Sequence, residues 1–271
     1  MPLEIVWMPE IWLRYGSTDV VLDIRFENLL NHISSSLQPL QDHEISQSLD
    51  ALQIGGSTLV VALSPTRHVA RIIGMLFERS RNSSAQLTVD APAGVASAIR
   101  STMAGIPELV INRADYKSLH ERMSKFQNTI FVSQTAIHPM FGFAGAPASL
   151  LRYFFQDKMA EAFLARSGNA PSPGVKTGSL DVAISCTEGL PAQSVEVVAN
   201  GSAIAGVHCG SIREAFCNAS AQLSSNSIET DPSKSAIISA SSEAGVHSTL
   251  ADSLNSLWNS LPPCRCGWMA G

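Results

Sequence analysis

Three stretches of this chain carry residue types that could do chemistry. In 64-SPTRH-68 a serine, a threonine and an arginine follow an apolar run and precede a helical pattern. A strand-to-helix turn gathers free backbone N–H groups and the positive end of a helix dipole at one spot. Arg67 adds a permanently charged donor fork, so Ser64, Thr66 and Arg67 together suit a carboxylate or phosphate. The competing reading is local: Ser64 caps the helix, Pro65 takes its first position and Arg67 meets solvent.

His138 introduces the second stretch, 137-IHPMFGFAGAP-147. An imidazole between a predicted strand end and a turn could move a proton near neutral pH, or could simply hydrogen-bond within the turn. Gly142 and Gly145 let the backbone take positive φ and approach a ligand or another segment, while Phe141 and Phe143 must be buried or line a pocket. The third stretch is 90-DAP-92: Asp90, like Asp23, is an acid near a strand end that either caps a turn or serves a reaction. His208 and His247 read as turn histidines, because neither stretch holds enough ligands for a metal. The C-x-C pair Cys264 and Cys266 likewise supplies two ligands where a tetrahedral zinc site needs four.

The elements that must position these residues follow from the patterning. Thr58–Leu63 is a short apolar run of the kind a buried parallel strand shows. Val69, Ile72, Ile73, Leu76 and Phe77 then follow helical spacing. Further strands are expected at 17–24, 87–89, 108–111, 129–132, 181–185, 195–198 and 236–239. Helices are expected at 43–53, 93–104, 150–166, 211–223 and 249–260. Strands alternating with helices argue an α/β fold with a mainly parallel sheet flanked by helices. The stretches 167–178 and 218–235 have loop composition.

Composition narrows the classes. The chain has 271 residues, 45 % of them hydrophobic and 15 % charged, which suits a globular protein with a sizeable core. With 18 basic and 23 acidic residues the net charge is −5, and no basic stripe points to nucleic acid or an anionic membrane surface. No apolar run reaches the roughly 18 residues that cross a bilayer. MPLEIVWMPE lacks the basic and apolar regions of a signal peptide, so a cytoplasmic location is expected. Five irregularly spaced cysteines read as reduced thiols.

Taken in order, 15-YGSTDVVLDI-24, 59-LVVALSPTRHVA-70, 137-IHPMFGFAGAP-147 and 195-VEVVANGSAIAGVHCG-210 resemble the nickel-dependent lactate racemase family. The likeness implies a family α/β lobe over residues 1–232 and the shortened start of a second lobe over 233–271. It implies isomerase chemistry on 2-hydroxy acids, with a nickel pincer nucleotide tethered to a lysine. By that resemblance His138 matches one acid/base histidine and Asp90 stands where the other would be. Ser64, Thr66 and Arg67 match a substrate-binding turn, with Ser64 in place of an aspartate, and Gly142 and Gly145 match a cofactor loop. The tethering position is Ala148, whose methyl group cannot form the link, and 160-AEAFLARSGNA-170 lacks the family's nickel histidine.

Three readings follow. The first is a diverged member that binds a small 2-hydroxy acid or other anion without the covalent cofactor. The second is an active racemase or epimerase of acids such as lactate. The third is an interaction protein: a lobe without its partner lobe exposes an apolar wall, which favours a second copy of the chain or a complementary second-lobe chain.

Overall fold

The computed structural model describes residues 10–15, 18–23, 38–103, 109–114, 118–138, 140–165, 175–200 and 203–225. The chain divides into two units, residues 1–37 and 38–271. In the first, β1 (Glu10–Tyr15) and β2 (Thr18–Asp23) form an antiparallel hairpin with Tyr15 opposite Thr18. The expected boundary at 232/233, the strand at 236–239, the helix at 249–260, His247 and the C-x-C pair lie outside the described residues.

The second unit is built on one sheet. Its strands are β3 (Ser57–Ala62), β4 (Gln86–Ala91), β5 (Ile111–Arg113), β6 (Asn128–His138), β7 (Gly142–Ala144), β8 (Gln193–Asn200) and β9 (Ala203–Ser211). They lie in the order β5-β4-β3-β6-β8-β9, with β7 paired to β6. The pairs β3–β4, β4–β5, β3–β6 and β6–β8 are parallel; β7 and β9 run antiparallel to their neighbours. The α/β class expected from the sequence is therefore the observed one.

Helices cover both faces. On one, α1 (Asp42–Leu49), α2 (Arg67–Asn82) and α3 (Ala93–Thr102) bury Ile45, Ile72, Leu76 and Ile99 against Val60, Ala62, Ile130 and Val197. On the other, α4 (Leu119–Met123) and α5 (Ala146–Phe154) pack on Leu59, Val61 and Phe131. A satellite cluster joins Phe141, Phe143, Ala148 and Leu151 to Leu180 of α7 (Gly178–Ser185) and Phe216 of α8 (Ile212–Ser225). Between α5 and α7 lie a 3₁₀ turn, Gln156–Lys158, and α6 (Met159–Leu164).

Several local expectations change. Residues 181–185 are helical, not extended: Thr177 caps the segment by accepting from the Leu180 N–H, and Leu180, Ala183 and Ile184 fall on one buried helical face. The expected helix at 150–166 starts earlier, at Ala146, and breaks at Phe155. His208 lies in β9 opposite Glu196, not in a turn. β6 runs on to His138 because β8 pairs with its polar Ser133, Gln134 and Thr135, which the apolar pattern alone leaves out.

Candidate functional site

The strand order reverses between β3 and β6. β4 and β5 lie to one side of β3, β8 and β9 to the far side of β6. In open α/β sheets the crevice beyond the carboxyl ends of such a pair is where ligands sit. Here it falls after Ala62 and Val132, the last pair of the β3–β6 ladder.

The turn leaving β3 is wired differently from the sequence reading. Thr66, not Ser64, is the N-cap of α2: its backbone is extended and its hydroxyl accepts from the Val69 N–H at 3.3 Å. Arg67, not Pro65, is the first helical residue. Ser64 is committed elsewhere, its hydroxyl accepting the Gln134 N–H at 3.1 Å where β3 has ended and can offer β6 no backbone partner. Thr66 is buried and spent on the cap. Arg67 is exposed and makes no hydrogen bond or ion pair among the described residues. Arg71 and Arg79, further along the same helix, are paired with Asp42 and Asp50.

Beside Arg67 stands His68, a residue the sequence reading passed over. It is only 6 % exposed, and its Nδ1 lies 3.2 Å from Gln134 Oε1. With that oxygen accepting, Nδ1 carries the ring proton and a neutral imidazole leaves Nε2 as a bare acceptor. Nε2 is buried with no hydrogen-bond partner, as is the hydroxyl of Ser133 next along β6. Such orphans cost free energy unless something fills them. The clue was in the pattern: His68 falls four residues before Ile72, on the helix's apolar stripe, where a polar ring must be buried.

Asp90 is held in a buried ion pair. It is 1 % exposed, and Arg122 holds it with two hydrogen bonds, Nε to Oδ2 at 2.8 Å and Nη2 to Oδ1 at 3.2 Å. Asn112 Nδ2 donates to Oδ1 as well, at 3.2 Å. The carboxylate thus ties β4 to α4 and β5 through a buried, charge-assisted pair.

The histidine-glycine-aromatic stretch forms a tight hairpin. His138 Nδ1 accepts from the Met140 N–H at 3.1 Å and faces the Phe141 ring with centroids 5.1 Å apart. No described hydrogen bond or shared cavity joins His138 to Arg67. The two glycines make room for the chain itself. Gly142 has φ +78°, and a Cβ there would come within 1.9 Å of the Val175 carbonyl oxygen. At Gly145 a Cβ would meet the Phe216 ring at 2.5 Å. Phe141 and Phe143 are buried in the satellite core, and the space beside both glycines is taken by the chain's own atoms.

Ala148 is 2 % exposed and packs with Phe141, Phe143 and Phe216. A lysine there would thrust an ammonium into aromatic packing, so the surroundings as well as the residue type do not fit a tethered pincer. Among the described residues no group of three or more His, Cys, Asp or Glu side chains could hold a metal ion.

A second buried acid, Glu196 on β8, also escaped the sequence reading. It is 0 % exposed; its Oε1 accepts the Ala146 N–H at 2.7 Å and its Oε2 the Thr135 hydroxyl at 2.8 Å. Burial pushes its carboxyl up to about 7, and the Ala146 N–H and the Thr135 and Ser133 hydroxyls only partly offset this. The Ser133 contribution is the weakest, since that hydroxyl forms no well-shaped hydrogen bond. One glutamate inside the apolar run VEVV was the available clue. Cys209 is inert by comparison, its thiol pushed up to about 12 by burial.

An open groove of ≈ 820 Å³ runs across α1, α2 and α3, lined by residues including Arg67, Ala70, Met75, Leu49 and Met103. It reaches Arg67 but includes neither Asp90, His138 nor Glu196. The buried polar atoms without partners, His68 Nε2 and Ser133 Oγ, belong instead to α2 and β6 just beyond the end of the β3–β6 ladder. Among the described residues no helix is long and apolar enough to cross a membrane.

No protein-family model and no curated protein matches the chain. A solved structure of a Thermotoga maritima protein superposes with TM-score 0.48 and 12 % sequence identity, over 69 % of this chain and 59 % of that one. The chain thus spans less than two thirds of that protein, and a likeness this loose carries no inference about chemistry.

Proposed function

We propose that the chain is a diverged, lactate-racemase-like protein that binds a small anion, a 2-hydroxy acid or a related carboxylate or phosphate, without a covalently tethered nickel pincer. The observation that carries the reading is the buried, unpartnered Nε2 of His68 in the first turn of α2. The same turn holds first-turn N–H groups, a helix dipole and an Arg67 guanidinium without an ion pair among the described residues. An anion bound there would be charge-balanced, and a donor on it could satisfy the imidazole. The buried methyl of Ala148 supports the absence of a covalent link.

Isotope-edited NMR and calorimetry with lactate, glycolate, inorganic phosphate and nucleotides test the reading. At least one anion should bind and perturb the His68 ring. Arg67→Ala should weaken it about tenfold or more, the worth of one hydrogen bond to a charged group. Silence from every anion, or binding that ignores Arg67→Ala, removes the proposal. Expression with nickel and cofactor-maturation proteins separates the active-racemase alternative. A nickel-containing covalent adduct by intact mass, with enantiomer interconversion, would establish that alternative instead.

A further inference from the structure

Glu196 does no work in the anion site, yet it is the most fully enclosed carboxyl in a described contact network. It reaches from β8 to the first N–H of α5, capping that helix from across the sheet, because Gly145 at the cap position has no side chain to do so. The fit is close: a Cβ on Gly145 would lie 3.3 Å from Glu196 Oε2 and 2.5 Å from Phe216. Above the carboxyl sit Gly145, Ala146 and the Phe216 ring; beside it on β6 are Thr135 and Ser133.

A cation is missing from this arrangement. The titratable or charged side chains on the surrounding elements are His208 and Cys209 on β9, His138 on β6, Arg152 and Tyr153 on α5, and Arg213, Glu214 and Cys217 on α8. His208 is the cross-strand partner of Glu196, but its Nε2 is held by Gln222 Oε1 at 2.7 Å. Arg213 pairs with Glu188, Glu214 bonds Ser211, and Arg152 lies over the Tyr153 ring. None of these eight is among the causes that set the Glu196 carboxyl. An ionised carboxylate here has only dipoles to stabilise it, and water can reach it only if the groups that cover it, the β7–α5 corner packed with Phe216 of α8, move aside.

We propose that Glu196 is a proton-operated latch for the corner formed by β7 and α5: with the carboxyl protonated the corner is sealed on the sheet, and with the carboxylate ionised it loosens to admit water. The corner carries Phe143, Ala148 and Leu151 and follows directly on the hairpin of His138, so loosening it frees that hairpin too. The sign follows from linkage. The sealed state binds the proton more tightly than an opened, hydrated one, whose carboxyl returns to its ordinary value of 4.5. Opening therefore becomes easier as pH rises through that interval, about tenfold per pH unit, and levels off above about 7.

Native-state hydrogen exchange on the full chain reads this directly. After correction for intrinsic exchange rates, protection of the α5 amides from Ser149 to Leu151 should fall roughly 40-fold between pH 5 and 7 and level off within about another twofold above that. Glu196→Gln keeps both hydrogen bonds without the charge and should flatten the profile, while His208→Gln should leave it unchanged. A flat profile in the wild type, the same slope in Glu196→Gln, or loss of the slope in His208→Gln would each overturn the latch. Should Glu196→Gln not fold, carboxyl ¹³C titration of the wild type decides. A midpoint near 7 tracked by the Ala146 amide supports the proposal, and one at or below 5.5 defeats it.

Discussion

Removing the Arg122 side chain should strand a charge in the protein interior. Asp90 has a side chain 2 % exposed, and Arg122, at 27 %, supplies its neutralising charge through two hydrogen bonds. After Arg122→Ala, Asn112 alone remains on the carboxylate. Breaking a buried pair this way costs about 3–5 kcal/mol. Arg122 is partly exposed, so water enters the vacated space and the lower end, about 3 kcal/mol, is expected. The guanidinium also stacks over Phe126, 5.0 Å from its centroid, so some of the loss is packing. In a body of this size the loss corresponds to a fall in Tm of roughly 6–12 °C. Chemical denaturation of Arg122→Ala, Asp90→Asn and the double variant apportions it. If the uncompensated charge is the cause, adding Asp90→Asn to Arg122→Ala should restore about 1–2 kcal/mol. No recovery, or a single-variant loss below about 0.5 kcal/mol, would refute the view of Asp90 as a structural anchor and reopen the acid/base role.

Two further outcomes concern the Glu196 neighbourhood. Because the folded carboxyl sits at about 7 and the free one at 4.5, its contribution to stability is full below about 4.5 and is lost as pH rises through 7. Glu196→Gln should match the wild type near pH 4.5 and exceed it above pH 7 by up to about 3 kcal/mol, measured by urea unfolding; equal stabilities at pH 8 would contradict this. Gly145→Ala should destabilise by about 1–3 kcal/mol through the Phe216 contact, and Phe216→Leu in the same chain should relieve part of that penalty.

The parts of this fold that were legible are those where local chemistry and burial agree. LVVAL followed by S-P-T-R and an apolar stripe at helical spacing gave β3 and α2 almost to the residue, though hydroxyls at 64 and 66 could not be told apart as caps. Either serine or threonine suits that role; the choice fell to β6, which needed an acceptor for the Gln134 N–H. The polar tail of β6 was illegible for a related reason. Ser133, Gln134 and Thr135 look like the end of a strand until β8 is seen to pair with all three, with Ser64 and His68 satisfying Gln134 and Glu196 satisfying Thr135. At 181–185 a β-branched run suggested a strand, and a threonine cap with core contacts overrode it. Of the site residues, Arg67 kept its open cationic character, whereas Asp90, Gly142 and Gly145 turned out to serve long-range contacts invisible in a linear pattern.

The ladder between the two central strands stops at Ala62 and Val132, yet β6 continues six residues more to His138, roughly 20 Å of extended chain. On the β3 side that stretch has no strand beside it, so this edge of the sheet is set by backbone length and not by side-chain size. An insertion that let β3 grow by two residues would pair with Ser133 and Gln134, release Ser64 and fill the space with main chain. The shape of this edge thus depends on a mismatch in strand length, a property that changes only by rebuilding the centre of the sheet.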